Sequence, residues 1–269
     1  GKMKKLELQD LQKIELEILI KFDLFCKANG LKYSLAAGTM IGAVRHQGFI
    51  PWDDDIDIFM MRDEYDKFCG LANEGKQIDS DISIINPCSE NNFYPFLKIV
   101  RTDTILYEKL RKKEDAIGVW IDVFPIDSCG NTYEQAYNNS LKMQKYARKL
   151  VMYHLVYPNN SFVHVIKNIY VKMINVFGRK QLKNIIHYFH SYKGFEGNAY
   201  MGTLIWASCD RDFYPKNFFD EYTTITFENK EFMVFKMYDE ILTRRYGNYM
   251  ELPAEEDRVS HDVDAYLLN

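Results

Sequence analysis

No stretch of the 269 residues reaches the 18 or so consecutive apolar positions that a membrane-spanning helix needs, so a transmembrane helix is not expected. The first ten residues, GKMKKLELQD, contain no apolar run followed by a small-residue cleavage site, and they do not read as a secretory signal. Cysteine is sparse. Cys26, Cys69, Cys88, Cys129 and Cys209 are odd in number and widely spaced, and no C-x-x-C pair suggests a zinc site or a redox motif. They read as reduced, partly buried thiols of a cytoplasmic protein. Low-complexity linkers and internal repeats are also missing, and with 47% apolar and 15% aromatic residues the chain can bury a substantial core.

One further absence is local. Between Glu134 and Glu196 there is no Asp or Glu, while ten Lys and Arg side chains fall in the same interval. The whole chain carries 34 basic and 38 acidic residues for a net charge of −4. Outside that interval it therefore holds 24 basic and 38 acidic side chains, a net −14. An acidic body with a basic insert is not the pattern of a general nucleic-acid binder. The insert's bases alternate with apolar residues such as Leu150, Ile166 and Met173, which fits either packing on the rest of the domain or peripheral contact with an anionic membrane.

Periodicity predicts an amphipathic helix over residues 6–28 ended by Asn29-Gly30, a strand at 33–37, a helix from Met40, a strand over 55–60 and a helix over 62–73. Short strands are expected at 82–85, 96–101 and 119–124, the last closed by Pro125. Residues 133–192 read as helical, with interruptions near 157–160 and at Gly178. Strands at 223–227 and 232–235, a helix over 237–246 and an acidic tail complete an α+β chain. The expected organisation is a catalytic core over 1–132, a basic helical insert over 133–195 and an α+β segment over 196–269 that completes the same domain.

The chemistry concentrates in Pro51-Trp52-Asp53-Asp54-Asp55-Ile56-Asp57-Ile58. Strand residues alternate between faces, so Asp55 and Asp57 project to one side while Ile56 and Ile58 enter the core. Two carboxylates sharing one site suit a hard divalent cation: Mg2+, with Mn2+ as the alternative. Asp122, the single acid in Trp120-Ile121-Asp122-Val123-Phe124, supplies a third carboxylate if its strand lies beside the first. Asp53 and Asp54 read as helpers of the metal site or as loop caps. Two plainer readings compete: a solvated acidic loop, and a calcium loop with Asp53, Asp55, Asp57 and Glu64 at positions 1, 3, 5 and 12. The calcium loop fails because Ile58 stands where its turn requires Gly.

Upstream, Gly38 and Thr39 mark a strand-to-helix turn whose free amides and hydroxyl suit a phosphate. Arg45 offers a fork of further donors, with His46 beside it. Arg45 also reads as a surface charge and His46 as a structural residue. Lys98, polar on an otherwise apolar strand, is either a phosphate contact or an edge-strand lysine in solvent.

The ordered run from Gly38 to Ile58, with Trp120–Asp127, Arg245–Pro253 and Arg258, closely resembles the LicD family of phosphocholine transferases, related to fukutin and fukutin-related protein. The resemblance covers about residues 10–127 and 200–260. It implies a nucleotidyltransferase-like mixed sheet flanked by helices, with donor phosphates at Gly38 and Thr39, Mg2+ at Asp55 and Asp57, and Asp122 completing the site and serving as candidate base. The implied reaction moves a phospho-alcohol from CDP-choline or another CDP-alcohol to a hydroxyl of a glycan or lipid-linked saccharide, releasing CMP. A cytoplasmic site, peripheral at the inner membrane face, would suit it. Thr39 stands where that superfamily usually has Ser, and Ser260-His261 where many relatives carry a His pair, so His261 is assigned no role. A metal-dependent glycosyltransferase using a sugar nucleotide and a non-catalytic, calcium-dependent glycan-binding module remain as alternatives.

Overall fold

The computed structural model describes residues 3–87, 94–206 and 211–269; Cys88 and Cys209 lie outside them. The chain begins with β1 (Lys4–Leu6), α1 (Leu8–Ala28), β2 (Ser34–Leu35), α2 (Ala37–His46), β3 (Asp57–Met61), α3 (Arg62–Asn73), β4 (Ile82–Ile85), β5 (Leu97–Arg101), β6 (Thr104–Glu108) and β7 (Trp120–Gly130). Three helices follow, α4 (Tyr133–Met152), α5 (Phe162–Phe177) and α6 (Arg179–Ser191). The remainder is β8 (Tyr200–Gly202), β9 (Phe213–Pro215), β10 (Tyr222–Phe227), β11 (Lys230–Phe235), α7 (Tyr238–Tyr246) and β12 (Val263–Leu267). Helices and mixed sheets in this arrangement make an α+β protein. Among the described residues no helix is long and apolar enough to cross a membrane.

The main sheet runs β2-β3-β7-β5-β4, with β8 and then β9 extending it beside the far half of β7. β3 and β7 are parallel, and the other pairs are antiparallel. Parallel strands are buried on both faces, and these follow the rule. Ile58, Met60, Ile121 and Val123 pack against Ile18, Phe22 and Phe68 of α1 and α3, while Phe59 and Ile126 enter a second cluster with Met40, Phe235 and Leu242. Each large side chain removed from water contributes roughly 1.5–3 kcal/mol, so this double-sided packing fixes the register of the central pair. A separate three-stranded sheet, β1-β12-β6, joins the two ends of the chain to the middle of the sequence.

Several expected boundaries shift. β7 does not stop before Pro125 but runs through it. At that residue only β3 lies alongside, opposite Met60. On the other side β5 has ended at Leu97, opposite Val123, and β8 begins at Asp127. A proline that lacks an amide donor is tolerated in such a gap. The strand expected over 33–37 shrinks to Ser34–Leu35, and α2 starts at Ala37, so Gly38 and Thr39 lie in its first turn. The acidic tail contains β12, paired with β1 through Ala265 opposite Leu6 and with β6 through Ala265 opposite Leu106. The expected helical region 133–192 divides where anticipated, into α4, α5 and α6. Of the cysteines described, Cys26 and Cys129 are buried and Cys69 is partly so, all as free thiols.

Candidate active site

The central strands bring three charged residues into one row. Asp57, the first residue of β3, lies opposite Asp122 of β7 in parallel register, and Asp122 lies opposite Lys98 of β5. Side chains directly across neighbouring strands share a face, so the row presents carboxylate, carboxylate and ammonium side by side. Asp55 precedes Asp57 by two residues and lines the same cleft. That cleft, about 310 Å3, is bounded by Glu15, Asp54, Asp55, Asp57, Lys98, Trp120, Asp122 and His261 among others.

Lys98 is not an edge lysine in solvent. Its side chain is 4% exposed, and Nζ donates to Asp122 Oδ1 at 2.7 Å. The ammonium also sits 4.2 Å from the ring centre of Trp120, 4.5 Å from Tyr94 and 5.1 Å from Phe96. A charge this far from bulk water needs such partners.

The carboxylates repel one another. Burial, then Asp55 and Asp122, raises the Asp57 carboxyl well above the usual range. Burial and the neighbouring Asp53 push Asp55 up to about 8. Asp122 is raised by burial against the opposing pull of Lys98. Glu15, from α1, is buried and raised by burial and by Asp55, Asp54, Asp53 and Asp57. Among the described residues its Oε2 has no hydrogen-bond partner. An orphaned carboxylate oxygen among like charges is expensive unless a cation joins it, so the donor set fits a hard divalent ion with oxygen ligands.

His261 also reaches this acidic loop. Its Nδ1 lies 2.6 Å from Asp54 Oδ1 and 3.7 Å from Asp55 Oδ2. The bond to Asp54 is the main cause that pushes the imidazole up to about 9, against the opposing effect of burial. Single ligand atoms of Asp53, Asp54, Asp55 and His261 lie within 4.8 Å of one another. Ser260 Oγ donates to Trp52 O at 2.5 Å, and Arg258 covers the Trp52 ring at 5.5 Å, so the segment leading into β12 clasps the loop.

The other expected residues take different positions. A Cβ added to Gly38 would fall 2.9 Å from Asp53 Oδ2, so this glycine makes room for the acidic loop. Thr39 is buried and its Oγ1 accepts from the Asp57 amide at 3.0 Å, which anchors the start of β3. Arg45 and His46 do not line the cleft. Because α2 starts at Ala37, both fall in its last turn, about 12 Å along the axis from its first residue. There Arg45 Nη1 donates to Tyr249 O at 2.5 Å and Glu251 O at 3.2 Å, Nε contacts His46 Nε2 at 2.9 Å, and His46 meets Trp52 edge to face.

A second cavity, about 230 Å3, also borders on Asp57. Asp57, Phe124 and Trp206 line both spaces. Ala37 forms part of its wall with φ +48, a conformation that non-glycine residues rarely adopt. Asp212 and Arg245 pair across it at 2.8 Å, beside Tyr214 and Tyr246. Reading the sequence missed Glu15, although an acid in the apolar stripe Leu11, Glu15, Ile18, Phe22 was a visible signal. It gave no role to His261 because the link to Asp54 crosses 207 positions.

Known proteins resemble this chain in sequence. Residues 30–158 match the family model described as LicD/FKTN/FKRP, nucleotidyltransferase domain. The chain is 30% identical over 269 residues to the lipopolysaccharide cholinephosphotransferase LicD of Haemophilus influenzae, spanning 99% of this chain and 100% of that protein. An uncharacterized Rickettsia typhi protein is 32% identical over 124 residues, 46% of this chain and 35% of its own length. Another from Rickettsia prowazekii is 46% identical over 61 residues, 23% of this chain and 20% of its own.

Proposed function

Because this chain belongs to the LicD/FKTN/FKRP family, we propose that it transfers phosphocholine from CDP-choline to a hydroxyl of a lipopolysaccharide or related lipid-linked saccharide, releasing CMP. The observation that carries this reading is the register of Asp57 opposite Asp122, with Asp55 and Lys98 in the same cleft.

Phosphoryl transfer asks a protein chiefly to position its reactants and to stabilise charge on the transferred group. Asp55, Asp57 and Asp122 would hold Mg2+, which when bound supplies the positive charge that a diphosphate and its leaving group require. Lys98 Nζ, fixed by Asp122 and three aromatic rings, is set to meet a diphosphate oxygen. The acceptor oxygen forms the new bond to the phosphorus of phosphocholine, the bond from that phosphorus to the CMP oxygen breaks, and the hydroxyl proton passes to Asp122. The two cavities that share Asp57 offer separate room for the nucleotide and for the phospho-alcohol with its acceptor. A CDP-linked donor and the CMP product suit a cytoplasmic location.

The test is CMP release from CDP-choline in the presence of a lipopolysaccharide or lipid-linked saccharide acceptor, with Mg2+, with Mn2+ and with a chelator. Metal-dependent release, with choline recovered on the acceptor, is the expected result. Release that a chelator leaves unchanged, or turnover of UDP-sugars in place of CDP-choline, would overturn the assignment in favour of a different chemistry or a glycosyltransferase. Metal-independent failure to bind any nucleotide, alongside calcium-dependent glycan binding, would favour a binding module.

A further inference from the structure

α5 is packed inside out. Its apolar residues should face the body of the protein, yet Phe162, Ile166, Ile169, Tyr170, Met173 and Phe177 are 80, 50, 54, 50, 52 and 84% exposed. The side turned inward is mostly polar. Asn168 bonds both the carbonyl and the amide of Tyr157, at 2.8 and 2.9 Å, and Asn175 donates to Tyr153 O at 2.9 Å. His164 contacts Asn160 Oδ1 at 2.7 Å, and Val171 is the buried residue of the helix. Residues 164, 168, 171 and 175 recur at helical spacing and form one stripe. α4 and α6 behave normally by contrast, packing Met143, Leu150, Ile185 and Phe189 against Leu204 and Phe213.

We propose that the outer face of α5 lies in the plane of an anionic lipid surface and holds the enzyme on a membrane. At about 100° per residue, Lys167 and Lys172 flank the two edges of the apolar stripe. There their stems can lie along the lipid while their ammonium groups reach phosphates. The surrounding interval holds ten bases and no acid. That charge complements anionic headgroups and opposes a symmetric contact with a second copy, which would set the lysines against one another. With 16 residues the helix is about 24 Å long and lies on the surface rather than crossing it.

The attachment has a functional direction. Just before α5, the Val156 amide donates to Leu110 O at 3.0 Å and Leu155 bridges Arg111. Arg111 shares a cavity with Lys98 and Trp120. The root of the lipid-facing helix is thus tied to the wall of the carboxylate cleft, where an acceptor held in a membrane would have to arrive.

Co-sedimentation with vesicles tests this without donor, metal or turnover, so its outcome is independent of the transfer reaction. Wild-type protein is expected to partition at least about tenfold more strongly onto vesicles of equal parts phosphatidylcholine and phosphatidylglycerol than onto phosphatidylcholine alone, and to be released by high salt. Ile166→Glu with Met173→Glu should lower that partition at least about tenfold at unchanged melting temperature, since both sites are exposed. Lys167→Glu with Lys172→Glu should erase the preference for anionic vesicles. No sedimentation of the wild type, or undiminished sedimentation of the Ile166/Met173 variant, overturns the proposal. So does a concentration-dependent dimer that the same variant abolishes in the absence of lipid binding.

Discussion

Replacing Asp57 by Asn removes one charge from the most crowded part of the cleft at almost constant shape, and the structure gives the sign of two separate effects. Asp57 stands beside Asp122 across a strand pair and two residues from Asp55. Neighbouring strands are about 5 Å apart, and two like charges at that distance repel by about 3 kcal/mol at an effective dielectric constant near 20. Lys98 relieves part of this through Asp122. Metal-free Asp57→Asn should therefore be more stable than the wild type by about 1–3 kcal/mol, a rise in Tm of roughly 3–8 °C. The gain has a pH signature. Carboxyls raised in the folded state bind more protons there than in the unfolded chain, so the wild type gains stability as pH falls from about 8 toward 4 and the difference from the variant shrinks. Turnover should fall at least about 100-fold, and Mg2+ should raise the Tm of the wild type far more than that of the variant. Calorimetry with and without Mg2+ across pH 5–8, beside the CMP-release assay, reads all of these. A variant less stable than the metal-free wild type, or one that keeps wild-type turnover, would refute the reasoning.

His154 lies close to Arg111 and Lys112, and its imidazole is pushed down to about 4, first by burial and then by those two cations. With an ordinary value near 6.5 in the unfolded chain, its contribution is complete above pH 6.5 and is lost as pH drops toward 4, by up to about 3 kcal/mol. His154→Gln should flatten that part of the acid sensitivity in urea melts at pH 7 and 4.5; equal losses in both proteins would count against it. Gly42 packs so closely that an added Cβ would sit 2.4 Å from Gly48 O and 3.1 Å from Ile50 N. Gly42→Ala should lower stability by about 1–3 kcal/mol, seen as a shifted urea midpoint, and should reduce turnover because the displaced loop leads into Asp53, Asp54 and Asp55. An unshifted midpoint would show that the loop yields freely.

Much of the local structure was legible. α3 and β4 fall where periodicity placed them, because Tyr65 and Phe68 mark a helical stripe and Ile82–Ile85 a short apolar strand. The interruptions near 157–160 and at Gly178 likewise followed from turn residues. β7 was cut short because proline usually ends a strand, and only the gap between β5 and β8 on one side of Pro125 explains why it continues. β12 has its own alternation, Val263, Ala265 and Leu267, but it stabilises nothing until β1 and β6 lie on either side of it.

The amino-acid order by itself determined that Asp55 and Asp57 stand two residues apart at the entry to an apolar strand, although that strand starts at Asp57 and leaves Asp55 just outside it. It also determined that Asp122 is an acid among apolar neighbours and that the bases segregate from the acids, since these are properties of spacing and composition. Only the tertiary structure decided that Asp122 sits opposite Asp57, that Lys98 is buried between that carboxylate and three rings, and that Glu15 and His261 join the acidic loop. It also turned Arg45 toward Tyr249 and faced the apolar side of α5 outward. Register across non-adjacent strands and the orientation of whole helices depend on which surfaces bury together. That sum runs over contacts hundreds of positions apart, and no window of sequence contains it.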